Sequence, residues 1–170
     1  MRLNVLFLLP LLLCWPATEL HFIGGNTTDG ISQPISNRTN AVANSIQLNS
    51  LDSLLKSSDI VIIDFWFSGC GSCRKSMPEL NEIYDEFLKK KVQIYGINPI
   101  DDVTKIEKIK TQYAVKYPLI QVSSEVAQKY RVEEYPLLMI FQKSKPVLTL
   151  EGYSALFEKQ IKDKLSALVN

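Results

Sequence analysis

From Ile60 to Phe67 the chain is a continuous apolar run interrupted by one carboxylate, Asp64. That length and composition fit a central strand covered on both faces, because a strand with one face in water alternates apolar and polar residues. A sheet built around such a strand needs helices on both sides, so the run points to a layered α/β domain. Directly behind it stand Cys70, Gly71, Ser72 and Cys73. Beyond them Met77, Leu80, Ile83, Tyr84, Phe87 and Leu88 recur at helical spacing, with Glu82, Asp85 and Glu86 on the other side and Lys89, Lys90 and Lys91 at the end. Pro78 lies inside this helix and is expected to kink it.

Two thiols separated by two residues at a helix start can close a small disulfide ring whose first sulfur faces the positive end of the helix dipole. The chain has three Cys and one His, and Cys14 and His21 fall in or beside the N-terminal leader. The folded part therefore offers two cysteines where a structural zinc needs four N or S ligands, and no metal or other cofactor is expected. The missing imidazole also removes a Cys-His protease dyad and a two-Cys-plus-His copper site. A structural staple fits poorly, since the stabilisation grows with the loop closed and this loop is nearly the smallest available. The placement after a strand favours a redox-active pair.

The remaining elements alternate. Ser50 to Lys56 reads as a short helix capped by Ser50, Val92 to Asn98 as a strand, and the stretch from Asp101 or Asp102 to about Tyr113 as a helix. Leu119 to Val122 follows as a brief strand, and Ser123 or Ser124 caps a short helix through Tyr130. Leu137 to Gln142 and Val147 to Glu151, joined by Lys143-Ser144-Lys145-Pro146, read as an antiparallel hairpin, after which Ser154 caps a helix whose stripe is Phe157, Ile161, Leu165 and Leu168. The expected fold is a central mixed sheet with helices on both faces, closed by a hairpin and a helix.

A chain of 170 residues with 46% hydrophobic side chains holds one such domain and a leader. Met1-Arg2 and the apolar stretch Leu3 to Trp15 read as a signal peptide over residues 1–23, with a retained membrane anchor, which would leave the protein membrane-tethered outside the cytoplasm, as the less favoured alternative. An anchor needs about 20 apolar residues, and Glu19 and His21 arrive too early. Cys14 reads as an ordinary residue of that apolar segment, because Leu13 is too bulky for a lipoprotein signal. Residues 24–45 form a polar linker containing Asn26-Thr27-Thr28 and Asn37-Arg38-Thr39, both of the glycosylation form, and residues 46–170 form the domain. The net charge of +1 and pI of about 7.6 give no footprint for nucleic acid or an acidic membrane surface.

Val61 to Trp66, the Cys70–Cys73 motif, Pro78, and Tyr135-Pro136 before a strand together resemble the thioredoxin superfamily from about residue 46 onward. The long segment before Tyr117-Pro118 is similar to the exported, TlpA/ResA-like branch of thiol-disulfide oxidoreductases. Two departures stand out: the dipeptide is Gly-Ser where thioredoxin has Gly-Pro, and Gly96 stands where thioredoxin has a lysine near its buried acid. The resemblance implies a thioredoxin fold and a monomer that exchanges electrons with protein thiols and disulfides outside the cytoplasm, in the periplasm or secreted, supplied by a membrane electron donor.

Within that reading Cys70 is the attacking thiolate, favoured by the helix dipole and by Arg74 and Lys75 unless their charge is screened. Cys73 is the resolving thiol. Asp64, costly to bury as a charge, is expected to have a raised pKa and to accept the Cys73 proton, or else to be satisfied locally. Trp66, Gly71, Ser72, Tyr135 and Pro136 are expected to form the substrate-contacting surface, with Pro136 cis by resemblance; Trp66 also suits a core position. Two other readings are a binding module that uses the Tyr135-Pro136 groove without turnover and a thioredoxin-fold peroxidase. The first is disfavoured by the retention of both thiols. The second is disfavoured by Ile63 and Phe67, which stand where such peroxidases place Pro and Thr or Ser.

Overall fold

The computed structural model describes residues 45–46 and 48–169. The expected signal peptide and nearly all of the linker, with its two Asn-x-Thr triplets and Cys14, lie outside the described residues. Six strands form one sheet: β1 (Ser45–Ile46), β2 (Ile60–Phe65), β3 (Val92–Asn98), β4 (Leu119–Val122), β5 (Leu137–Gln142) and β6 (Lys145–Glu151), in the order β1-β4-β3-β2-β5-β6. The pairs β1–β4, β4–β3 and β3–β2 are parallel, and β2–β5 and β5–β6 are antiparallel. This is a mixed α/β sheet of the thioredoxin type, with β2 bonded on both edges.

Five helices cover it: α1 (Leu48–Leu54), α2 (Gly71–Phe87), α3 (Val103–Gln112), α4 (Ser124–Lys129) and α5 (Phe157–Val169). Every residue of β2 is buried, and its alternation divides the core in two. Ile60, Ile62 and Trp66 join Met77, Leu80 and Ile83 of α2, Ile106 and Ile109 of α3 and Phe157, Ile161 and Leu165 of α5. Val61, Ile63 and Phe65 face the other way, against Leu51 and Leu55 at α1 and Val126 of α4.

The structure moves several expected boundaries. β2 ends at Phe65, although the Trp66 amide still donates to the Ile97 carbonyl at 3.0 Å. Phe67 turns away to meet Tyr135 edge-on, with centroids 5.2 Å apart. α1 begins at Leu48, so Ser50 lies inside the helix and is not its cap. α2 runs through Pro78 without ending there. Its last turn tightens into a 3₁₀ turn over Leu88–Lys90, closed by Lys91 with φ 58°. Leu88, expected on the apolar stripe, is exposed. Asp102 is the cap of α3, its Oδ1 accepting from the Lys105 amide at 2.9 Å. Ser154 starts the turn before α5, accepting from Leu156 and Phe157 with its side chain and carbonyl respectively.

The hairpin turn is shorter than expected, and the second strand longer. β6 begins at Lys145, Gln142 pairs with Lys145, and Val147 is the extra residue of a bulge between the Phe141–Pro146 and Ile140–Leu148 pairs. Pro146 is tolerated inside β6 because this is an edge strand. Lys143 and Ser144 form the two-residue turn with φ of 49° and 64°, the left-handed pair that a type I′ turn requires and that Asn and Gly adopt most readily. Replacing Lys143 with Asn should therefore raise stability by about 0.5–1 kcal/mol. A higher urea midpoint at unchanged slope is the expected result.

Candidate active site

Cys70 is the N-cap of α2, in extended conformation, and is bonded to Cys73 with the Cα atoms 5.3 Å apart. The Cys70 amide donates to the Phe67 carbonyl at 3.1 Å, and the Arg74 amide donates to the Cys70 carbonyl at 3.3 Å. Cys70 Sγ accepts from the Cys73 amide at 3.0 Å, the hydrogen bond that an N-cap side chain ordinarily makes. The helix start thus supplies a backbone donor to this sulfur and, through its dipole, a field that favours negative charge there. Cys73 is inside the first turn and has no exposed surface, whereas Cys70 retains 6%. One sulfur sits at the surface and the other behind it.

Ser72 joins the pair to the opposite wall. Its hydroxyl lies 3.3 Å from Cys70 Sγ and donates to the Tyr135 carbonyl at 3.3 Å. The Tyr135–Pro136 peptide is cis, and the Pro136 carbonyl accepts from the Gly152 amide at 2.8 Å. Gly71 is exposed, Ser72 and Tyr135 are half-buried, and Pro136 is buried. These residues and the disulfide form one surface. Trp66, expected to contact substrate, is fully buried in the α2-side core and is corrected to a core position, because its ring packs beneath the site and meets no solvent.

Asp64 lies on the same face of β2 as Ile62, and as Trp66 just beyond the strand, and so points toward the cluster that contains Cys73. It is fully buried, and neither carboxylate oxygen has a hydrogen-bond partner among the described residues. Desolvation alone pushes its pKa from the ordinary 3.8 up to about 8. No cation compensates, for a reason visible in the register: Asp64 pairs with Gly96. A Cβ at Gly96 would collide with Leu119 Cδ2 and lie 3.1 Å from Trp66 Nε1 and 3.3 Å from Tyr117 Cε2. The space that a lysine would need is filled by these three side chains. Tyr117 is buried too, and burial first and the nearby Asp64 second hold its phenol well above the ordinary range.

A second acid was not legible as part of the site. Asp101, read from sequence as a possible helix cap, turns inward and leaves capping to Asp102. Its carboxylate accepts from the Ser68 amide at 2.5 Å, the Ser68 hydroxyl at 2.8 Å and Asn98 Nδ2 at 2.9 Å. Asn98 Oδ1 in turn accepts from the Ile100 and Asp101 amides at 3.0 and 2.8 Å. The network ties the turn before Cys70 to the end of β3. Arg74 secures the same turn from the other side, Nη1 donating to the Ser68 carbonyl at 2.6 Å. Hydrogen bonds from Asn98 and Ser68 outweigh desolvation and lower the Asp101 pKa. Among the described residues no group of His, Cys, Asp and Glu is arranged to hold a metal ion, and no helix is long and apolar enough to cross a membrane.

A bonded Cys-x-x-Cys pair capping the helix that follows the central strand, opposite a cis-proline loop, defines a thioredoxin-superfamily protein. The chain belongs to the AhpC/TSA family, whose description matches residues 33–149. It is 28% identical over 89 residues to the thiol-disulfide oxidoreductase ResA of Bacillus thuringiensis subsp. konkukian, covering 52% of this chain and 51% of that protein. It is 33% identical over 114 residues to the chloroplastic thioredoxin Y1 of Arabidopsis thaliana, covering 66% and 52%. The chain thus spans about half the length of the curated relatives it matches. Among solved structures, a thiol:disulfide interchange protein of DsbE type from Chlorobium tepidum superposes with a TM-score of 0.64 at 21% identity, covering 68% of this chain and 83% of that one. The thioredoxin domain of a Bacteroides vulgatus thiol-disulfide oxidoreductase gives 0.60 at 24%, covering 68% and 82%. At these identities the superpositions speak for the fold.

The two acids predict opposite pH dependences. Because Asp64 binds a proton in the fold that the unfolded chain has released, its burial lowers stability progressively as pH rises from about 4 to 8, by at most about 1.4 kcal/mol per unit. Asp64→Asn should flatten that slope in urea titrations at pH 5 to 8 and be the more stable protein at pH 8. Asp101 contributes stability above the ordinary carboxylate range that is lost as pH falls through it. Asp101→Ala should cost about 1–3 kcal/mol at neutral pH by leaving the Ser68 and Asn98 donors unpaired, with slower amide-exchange protection at Ser68 lost first.

Proposed function

We propose that this protein is a protein-disulfide reductase working outside the cytoplasm. The observation that carries the reading is the asymmetry of the pair: Cys70 caps α2 at the surface and Cys73 is sealed behind it. In the dithiol form the Cys70 thiolate attacks one sulfur of a substrate disulfide, forming a mixed disulfide and expelling the other sulfur as a thiolate. Cys73 then loses its proton, attacks Cys70 Sγ and displaces the second substrate thiolate, leaving the Cys70–Cys73 disulfide. Two electrons pass to the substrate. The raised pKa of Asp64 suits it to take the Cys73 proton near neutral pH.

An extended substrate segment would lie over Gly71 and Ser72 and pair with the backbone around Tyr135 and Pro136. The leader read over residues 1–23 supports export, and a membrane protein would return the oxidised pair to the dithiol. Reducing action is favoured by Asp64 and by a Gly-Ser dipeptide that places no cation between the thiols. Arg74 and Lys75 weigh the other way, since the Arg74 guanidinium keeps its charge while Nη1 donates to the Ser68 carbonyl, and the expected potential is therefore intermediate to low and not extreme.

Serine variants test the roles. Cys70→Ser should abolish reduction of a protein disulfide such as insulin, while Cys73→Ser should accumulate a covalent complex with the substrate that dithiothreitol releases. Equal trapping by both variants would overturn the assignment. Reduction unaffected by Cys70→Ser would overturn the role of Cys70, and no reduction by the parent protein would overturn the enzyme reading in favour of a binding module.

A further inference from the structure

The thiol chemistry leaves unused a cleft of about 430 Å³ between the start of α2 and the flank of α3, walled by Ser68, Arg74, Lys105, Lys108, Gln112 and Tyr113 over the buried Ile109. Lys105 and Lys108 are three residues apart on α3 and therefore share a face. Arg74 enters from α2. Its Nη1 is fixed on the Ser68 carbonyl, and its Nη2 lies 4.0 Å from the position a Gly71 Cβ would occupy, so the guanidinium borders both the cleft and the residue following Cys70. The remaining guanidinium N–H groups are held in place in advance, which lowers the entropic cost of using them.

The cleft is one-signed. Neither Arg74 nor Lys108 is in an ion pair among the described residues. Two acids act on Lys105: Asp102, 3.8 Å away with both side chains more than half exposed, a contact that solvent weakens, and Asp101, whose charge is also felt by Lys105. Asp101, at the base of the same region, is occupied by Ser68 and Asn98. With a net charge of +1 over the chain, this concentration of cations beside the cysteines is local. A groove of one sign next to a reactive centre selects partners of the other sign and raises their encounter rate.

We infer that the cleft walled by Arg74, Lys105 and Lys108 is a substrate subsite for carboxylate side chains, selecting protein disulfides flanked by Asp or Glu. The inference rests on the oxidoreductase reading above and adds a substrate class to it. The occupant is a protein segment, because the cleft shares Ser68 and Arg74 with the turn that carries Cys70, where the proposed reaction brings a polypeptide disulfide.

The test uses three peptides of one sequence, each with a single disulfide and with Glu, Gln or Lys in the residues flanking both cysteines. The Glu peptide should exceed the Lys peptide in kcat/KM by about tenfold at low salt, with the gap closing toward about 0.5 M salt. In Lys105→Glu/Lys108→Glu the preference should reverse, and in Lys105→Gln/Lys108→Gln it should shrink, while the Gln peptide stays within about twofold of the parent throughout. Intrinsic effects of flanking charge on the disulfide cancel in the comparison between enzymes. An unchanged Glu-to-Lys ratio in the Glu variant would overturn the subsite and leave the oxidoreductase reading standing. Failure of the parent to reduce any of the three peptides would overturn that reading and the subsite with it.

Discussion

Burial of β2 on both faces and both edges sets the position of every group that carries chemistry. Each Ile or Phe it seals contributes roughly 1.5–3 kcal/mol relative to exposure. The strand is therefore a rigid line from which the chain leaves at Phe65. The turn that follows is held by the Trp66 amide on Ile97, by Ser68 on Asp101 and by Arg74 on Ser68. Cys70 then has one available location, the N-cap of α2. A sulfur set on a helix start by a buried strand and three anchored contacts loses little freedom when it reacts.

The same burial makes two aspartates behave in opposite ways. Asp64 has no donor and no counter-charge, because Leu119, Trp66 and Tyr117 crowd against Gly96 and leave no room for one. Neutralising the carboxyl by a raised pKa costs far less than burying its charge. Asp101 has three donors and keeps its charge. In the proposed cycle one acid exchanges a proton close to the thiols, while the other holds the loop that presents them. Each role follows from the hydrogen bonds available, since the residue type is the same.

In the proposed cycle, reactivity and selection use different groups. The helix dipole and the buried Asp64 would act on sulfur and proton, while a partner would meet Gly71, Ser72, Tyr135 and the cationic flank of α3. Such a division would let exposed side chains such as Lys105 and Lys108 alter selection without changing the redox centre.

Local pattern alone determined a good deal. The apolar run with its lone Asp64, the cysteine spacing and the amphipathic stripes were enough to place β2, β3, β4, β5 and the helices, because these signals repeat within a few residues and reflect what each segment must bury. The Cys70–Cys73 pair was legible for the same reason. The tertiary structure decided what depends on residues distant in sequence. It placed Trp66 under the site and away from the substrate, because α2 and β4 close over it. It gave Asp101 to Ser68, 33 positions away, and it brought Lys105 and Lys108 beside Arg74 by packing α3 against the same sheet face as α2. Short-range periodicity carries no information about such meetings, which are fixed when the sheet order β1-β4-β3-β2-β5-β6 brings the loops at the ends of β2 and β3 together.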